Sequence, residues 1–257
     1  MTRHSIRPLW LAAAFVLFAG DIAMHLPVTD FFDFLAKRFG FFEYDAATRQ
    51  VFIAIGALAF VALWFCPGPR RRAVRAVVMT LGVLMVAAQS LLLVTAIENI
   101  HYPQYALLAM TLVHAGLGLE GAWLAAGGFG LVDEAYQHAV LPRGVPGYLD
   151  ANDIVLNAIG AALGVVVCVA LSHRSSEAGL ISGRRTVAVL AVLGVLALIV
   201  GPIVPLPFFS MTPGGRRFHL LSPFEALLVL GFLWHVVRRL AAAPSQGSRS
   251  EPYRRAA

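Results

Sequence analysis

Apolar runs of about 16 to 23 residues recur about eight times along this chain, each close to the roughly 20 residues that a helix needs to cross bilayer hydrocarbon. They cover 9–26, 51–66, 76–97, 105–119, 122–141, 154–171, 187–204 and 220–237. A backbone in lipid must satisfy its own hydrogen bonds, so runs of this kind fold as helices. The expected fold is an all-α, polytopic transmembrane bundle of about eight spans. Composition agrees: 59% hydrophobic and 13% charged content is too apolar for an ordinary soluble domain. The net charge of +6 raises the question of nucleic acid. The arginines, however, stand in short clusters between apolar runs, where topology signals belong, so no nucleic-acid partner is expected.

Those clusters set an orientation. Arg3 and Arg7, then Arg70, Arg71, Arg72 and Arg75, then Arg174, Arg184 and Arg185, then Arg238, Arg239, Arg254 and Arg255 all fall on one side of an eight-span bundle. By the positive-inside rule that side is cytoplasmic, with both termini, and the chain is a multi-pass protein of the cell membrane. Loops 30–49 and 143–153 then face outward, while Arg216 and Arg217 run against the rule. Runs four and five, separated by Gly116, Gly118, Glu120 and Gly121, read as a tight helical hairpin. Pro202, Pro205, Pro207 and Pro213 should end run seven in an irregular segment. Cys66 and Cys168 fall near the cytoplasmic ends of runs and imply no disulfide framework. The organisation expected is N-terminal membrane helices over 1–75, a core over 76–172, C-terminal membrane helices over 186–240 and a disordered cytoplasmic tail over 241–257.

Polar groups at the ends of these runs are the candidates for function, because ionisable residues in or beside hydrocarbon cost free energy unless they pair or act. Glu98, His101 and Tyr105 follow helical spacing around Pro103. Asp133 and Glu134 stand three or four positions before Gln137, which stacks a carboxylate over an amide. Adjacent acids resist double ionisation, which makes this pair a candidate general acid or base, or one half of a helix-locking ion pair with Arg143 or His101. Asp153, Asn157, Gly160 and Gly164 share one helical face; the glycines permit close helix approach, and the acid either caps the helix or belongs to a site. All these groups, with Asp21, His25 and Glu225, are expected at the outer level. No HExxH or equivalent pair of ligands commits the histidines to metal, no GxSxG frames a nucleophile, and no cofactor is implied.

The ordered set His101-x3-Tyr105, Glu134-x2-Gln137, Arg143 and Asp153-x3-Asn157-x2-Gly160-x3-Gly164 resembles the VanZ-like family, named for a teicoplanin-resistance protein. The resemblance covers about residues 95–170 and leaves the outer spans unaccounted for. It implies an integral membrane protein of the cell envelope, linked through the founding member to glycopeptide antibiotic resistance, and carries no established catalytic mechanism. Ten positions separate Arg143 from Asp153, more than the family keeps; Asp150 stands at the usual distance, so either acid takes the family role.

Two functions of different class follow. In the first, the cluster binds or modifies a lipid head group, a lipid-linked wall precursor or a lipoglycopeptide at the outer leaflet. Glu134, His101 and Asp153 would supply acid, base or oriented hydrogen bonds, Arg143 would grip an anion, and Gln137, Asn157, Tyr105, Glu98, Asp133 and Asp150 would complete the binding surface. In the second, the chain is a non-enzymatic scaffold or small transporter and the cluster is a structural lock between helices. Expected partners are membrane lipids and a lipid-linked or lipidated small molecule.

Overall fold

A computed structural model describes residues 3–68, 70–140, 150–172, 209–211 and 217–243. Among them are seven α-helices, a short 3-10 helix and one two-stranded pair, so the architecture is all-α. In chain order the helices are α1 (Arg3–Phe39), α2 (Phe41–Phe65), α3 (Arg71–Leu91), α4 (His101–His114), α5 (Gly118–Val140), α6 (Ala151–Leu171) and α7 (Pro223–Ala242). The 3-10 turn Ala96–Ile100 leads into α4, and β1 (Phe209–Met211) pairs antiparallel with β2 (Arg217–His219) ahead of α7. Run seven, Arg143, Arg174, Arg184, Arg185, the proline cluster and the tail from 244 lie outside the described residues.

Four of the helices, α1 from Arg7 onward, α2, α3 and α6, are long and apolar enough to cross a membrane, which makes this a membrane protein in class. Their environments differ sharply. In the most apolar stretch of α6, 78% of residues are buried inside the bundle, against 6% in α1 and in α2. The outer pair therefore presents Leu9, Phe15, Val16, Ile55 and Leu58 to its surroundings, an apolar face that lipid would cover.

The first departure from the sequence pattern is at 30–49, expected as a loop. Helix α1 continues through Pro27 to Phe39, and only Gly40, at φ 88°, separates it from α2. Proline already has a helical φ and forfeits one backbone bond, a loss that membrane helices tolerate. Glycine supplies the left-handed turn that reverses the chain. A second departure is α4, which has 14 residues and is about 21 Å long, too short to cross hydrocarbon of roughly 30 Å. Gly116 (φ 91°) and Gly118 (φ 74°) fold it back on α5, as the hairpin reading expects.

Helix α6 is the axis of the bundle and packs on α3, α4, α5 and α7. Its closest neighbour is α4, admitted by the two glycines: a methyl group on Gly160 would stand 2.7 Å from the Tyr102 carbonyl oxygen, and one on Gly164 would overlap the Ala106 carbonyl. Trp123 of α5 donates its indole N–H to the Ala158 carbonyl of α6 at 2.9 Å. Asn152, buried at the start of α6, donates to the carbonyls of Leu92 and His219 and accepts from the Leu221 N–H, joining α6 to the end of α3 and to the entry of α7. Both cysteines are free; the Cys66 thiol approaches the Ala170 carbonyl oxygen at 3.3 Å, which ties the far ends of α2 and α6.

Candidate functional site

The polar residues of α1, α4, α5 and α6 meet at a cavity of about 590 Å³. Helix α1 contributes one face at steps of three or four residues, Leu17, Asp21, Met24, Val28, Phe32 and Ala36, with His25 beside Asp21. From α4 come His101, Gln104 and Tyr105; Asp133 of α5, Asp153 of α6, Tyr44 and Asp45 of α2, Asp33 of α1 and Glu98 of the 3-10 turn also belong to the polar wall.

Each side chain is held by an identifiable contact. Gln104 donates to Asp21 Oδ1 at 2.7 Å, which fastens α4 to the lipid-facing α1. Asp133 Oδ2 accepts from the Gln137 amide at 3.0 Å and more loosely from the Tyr105 hydroxyl at 3.4 Å. Asp133 is 2% exposed, and its Oδ1 has no hydrogen-bond partner. His101 Nε2 lies 3.6 Å from Asp153 Oδ2, and its ring sits 6.3 Å from that of Tyr105. The glycine steps of α6 make this possible, because Gly160 admits the His101–Tyr102 backbone of α4 two turns along α6 from Asp153.

Other candidates have local duties. Glu98 closes a capping box on the 3-10 turn, accepting from the N–H groups of Val94 and Thr95 and from the Thr95 hydroxyl. Burial nonetheless raises its carboxyl to about 7, against the pull of those donors toward the charged form. Asp150 is the N-cap of α6 and accepts from the N–H groups of Asn152 and Asp153. Asp153 is thereby released from capping and faces the cavity. Glu134 is 3% exposed with Oε1 unpaired, and it does not line the cavity formed by the described residues. Asn157 is fully buried against Gly130, with both side-chain polar atoms unpaired.

The structure thus brings His101, Tyr105, Glu98, Asp133 and Asp153 to one space, with Gln137 behind Asp133. It leaves Glu134, Asn157 and Asp150 in the packing around it. Sequence reasoning placed Asp21 and His25 at the same level without naming them as site residues. It missed Gln104, Tyr44 and Asp45 as cavity lining. The signal for α1 was present: Asp21 and His25, four apart in an apolar run, mark the face that turns inward.

Chemically the described lining is richer in acceptors than in free donors: six carboxylates face the Tyr44 hydroxyl and the His101 Nδ1, which have no hydrogen-bond partner. Both lining threonine hydroxyls are engaged, Thr29 with the His25 carbonyl and Thr95 with Glu98. The His101–Asp153 contact is the arrangement best placed to move a proton. Among the described residues no group of three or more His, Cys, Asp or Glu could hold a metal ion. Compared with protein-family models, with curated proteins and with solved structures, the chain matches none.

Proposed function

We propose that this chain is a multi-pass, VanZ-like protein of the cell membrane that binds a membrane amphiphile, with the head among the carboxylates and the tail along α1. The observation that carries the reading is continuity of surface. The cavity that contains Asp21, Asp133 and Asp153 is also walled by Val16, Met24 and Leu107, which are 67%, 53% and 50% exposed on the apolar exterior. Small-molecule sites are largely apolar with a few fixed polar groups, and this one opens its apolar side where lipid would lie. A lipid, a lipid-linked wall precursor and a lipoglycopeptide all have this two-part form. The order of residues from His101 to Gly164 supports the family, and through it a role at the outer face of the envelope.

Gly20 provides the test. It lines the cavity, and a Cβ there would meet nothing within 4 Å, so a side chain can start from this position without an immediate clash. Gly20→Phe should leave the purified protein as well folded as wild type and abolish binding of a dodecyl-chain amphiphile followed by native mass spectrometry. Unchanged binding by a well-folded Gly20→Phe would remove the cavity from the function. The competing scaffold reading, with the polar cluster as a lock, gains support from the capping role of Glu98 and the Gln104–Asp21 bond. It predicts that polar-to-apolar changes in the cluster lower stability and that no amphiphile binds.

A further inference from the structure

The charge of the cavity is opposite to that of the chain. The protein has a net charge of +6, yet the described lining has six acidic side chains, Asp21, Asp33, Asp45, Glu98, Asp133 and Asp153, and no lysine or arginine. Two of the six are accounted for, since Asp45 pairs with Arg49 and accepts the Ala96 N–H and Glu98 is held by its capping box, and Asp153 has one oxygen 3.6 Å from His101 Nε2. Asp21 and Asp133 meet neutral donors, the amides of Gln104 and Gln137 and the Tyr105 hydroxyl, and these orient a carboxylate without balancing its charge. Asp133 is nearly fully buried, lines the cavity and keeps Oδ1 unpaired, which is an acceptor waiting for a donor. Around these acids stand the rings of Phe18, Phe32, Phe41 and Tyr44, and an aromatic face attracts a cation as a carboxylate does.

Resting on the amphiphile reading above, we infer that the head group this cavity selects is a positively charged amine, primary or quaternary, with Asp21, Asp133 and Asp153 as its counter-ions. A phosphate or sulfate head meets six carboxylates there and no lysine or arginine among the described lining, with only the imidazoles of His25 and His101 able to offer a positive charge against them. An uncharged sugar head can use the acceptors but gains nothing from the charge.

Amphiphiles with one tail and different heads separate these cases. The purified full chain is titrated with dodecyltrimethylammonium, dodecylamine, dodecyl maltoside and dodecyl phosphate, and with tetramethylammonium as a head without a tail. The two amines should bind about tenfold or more tighter than the maltoside, with the phosphate weakest, as expected for one uncompensated charge at close range. Asp133→Asn, which keeps the shape and an acceptor for Tyr105, should reduce the preference for amine over maltoside by about tenfold, and Asp21→Asn should act likewise. The head-group comparison on wild type stands even if a variant fails to fold. Equal binding of all dodecyl heads, or preference for phosphate, overturns the inference and leaves the amphiphile reading intact. Tetramethylammonium binding as tightly as the dodecyl amine supports the charge selection and overturns the amphiphile reading. Binding of none overturns both.

Discussion

Gly164→Ala should do more damage than the removal of any single hydrogen bond near the site. A methyl group there would fall inside van der Waals contact of the Ala106 carbonyl carbon, 2.8 Å away where ordinary contact begins at 3.4 Å, and would overlap its oxygen outright. The obstacle is backbone on both sides, so no side chain can swing away. Helix α4 must retreat from α6 by at least about 0.6 Å, enough to loosen the dispersion contacts along the whole seam. Overpacking of this kind costs about 1–3 kcal/mol, and in a chain of this size that lowers the melting temperature by about 2–12 °C. The same retreat carries His101 away from Asp153, so the cavity loses its shape as well as its support. Gly127 and Gly128 of α5 provide the internal control, since a methyl group on either meets nothing within 4 Å. Alanine there should be neutral or stabilise by about 0.5–1 kcal/mol through helix propensity. Melting in a mild detergent reads all three variants. If Gly164→Ala melts with wild type, or gains what Gly127→Ala gains, the close crossing of α4 over α6 is wrong.

Asn152→Ala strands the Leu221 N–H and two carbonyls, and should lower unfolding stability by about 2–4 kcal/mol in a denaturant titration. Trp123→Phe keeps the ring packing and removes the bond to Ala158, so its loss should be nearer about 1 kcal/mol in the same titration. The Glu98 carboxyl is raised by burial from 4.5 to about 7, so the folded state prefers its proton. The stability this contributes is complete below pH 4.5 and is lost as the pH rises through about 7. Melting of wild type relative to Glu98→Gln should therefore decline across that window; a flat difference between pH 4 and 8 would exclude the assignment.

How far the sequence reaches can be judged from particular residues. The face Asp153, Asn157, Gly160 and Gly164 was legible because helical periodicity is a local property, and the glycines do receive a neighbouring helix. Which helix arrives, and that Asp150 takes the cap and frees Asp153, depends on packing that no spacing encodes. Thr95-x-x-Glu98 is a capping-box pattern visible in the sequence, although polar residues beside hydrocarbon invite a functional reading first. Of the seven apolar runs that lie among the described residues, four became helices that are apolar and long enough to cross. The run at 105–119 became the short α4, since hydropathy counts apolar residues without knowing where a chain turns. The cavity draws on α1, α2, α4, α5 and α6, and sequence alone could only bring its residues to a common level.

For the amphiphile proposed above, the length of α1 bears on the direction from which the cavity would be filled. Its 37 residues extend about 55 Å, so the helix outruns hydrocarbon of roughly 30 Å by nearly as much again unless it tilts. The excess past Asp21 turns at Gly40 into the start of α2, and these two segments bring Asp33, Tyr44 and Asp45 to the cavity. Val16 and Met24 on the same helix are exposed and line the cavity, so an amphiphile of the proposed kind already dissolved in the bilayer would enter beside them. Occupancy should accordingly follow the mole fraction of the guest in the membrane, and diluting the vesicles with buffer at constant lipid composition should leave it unchanged.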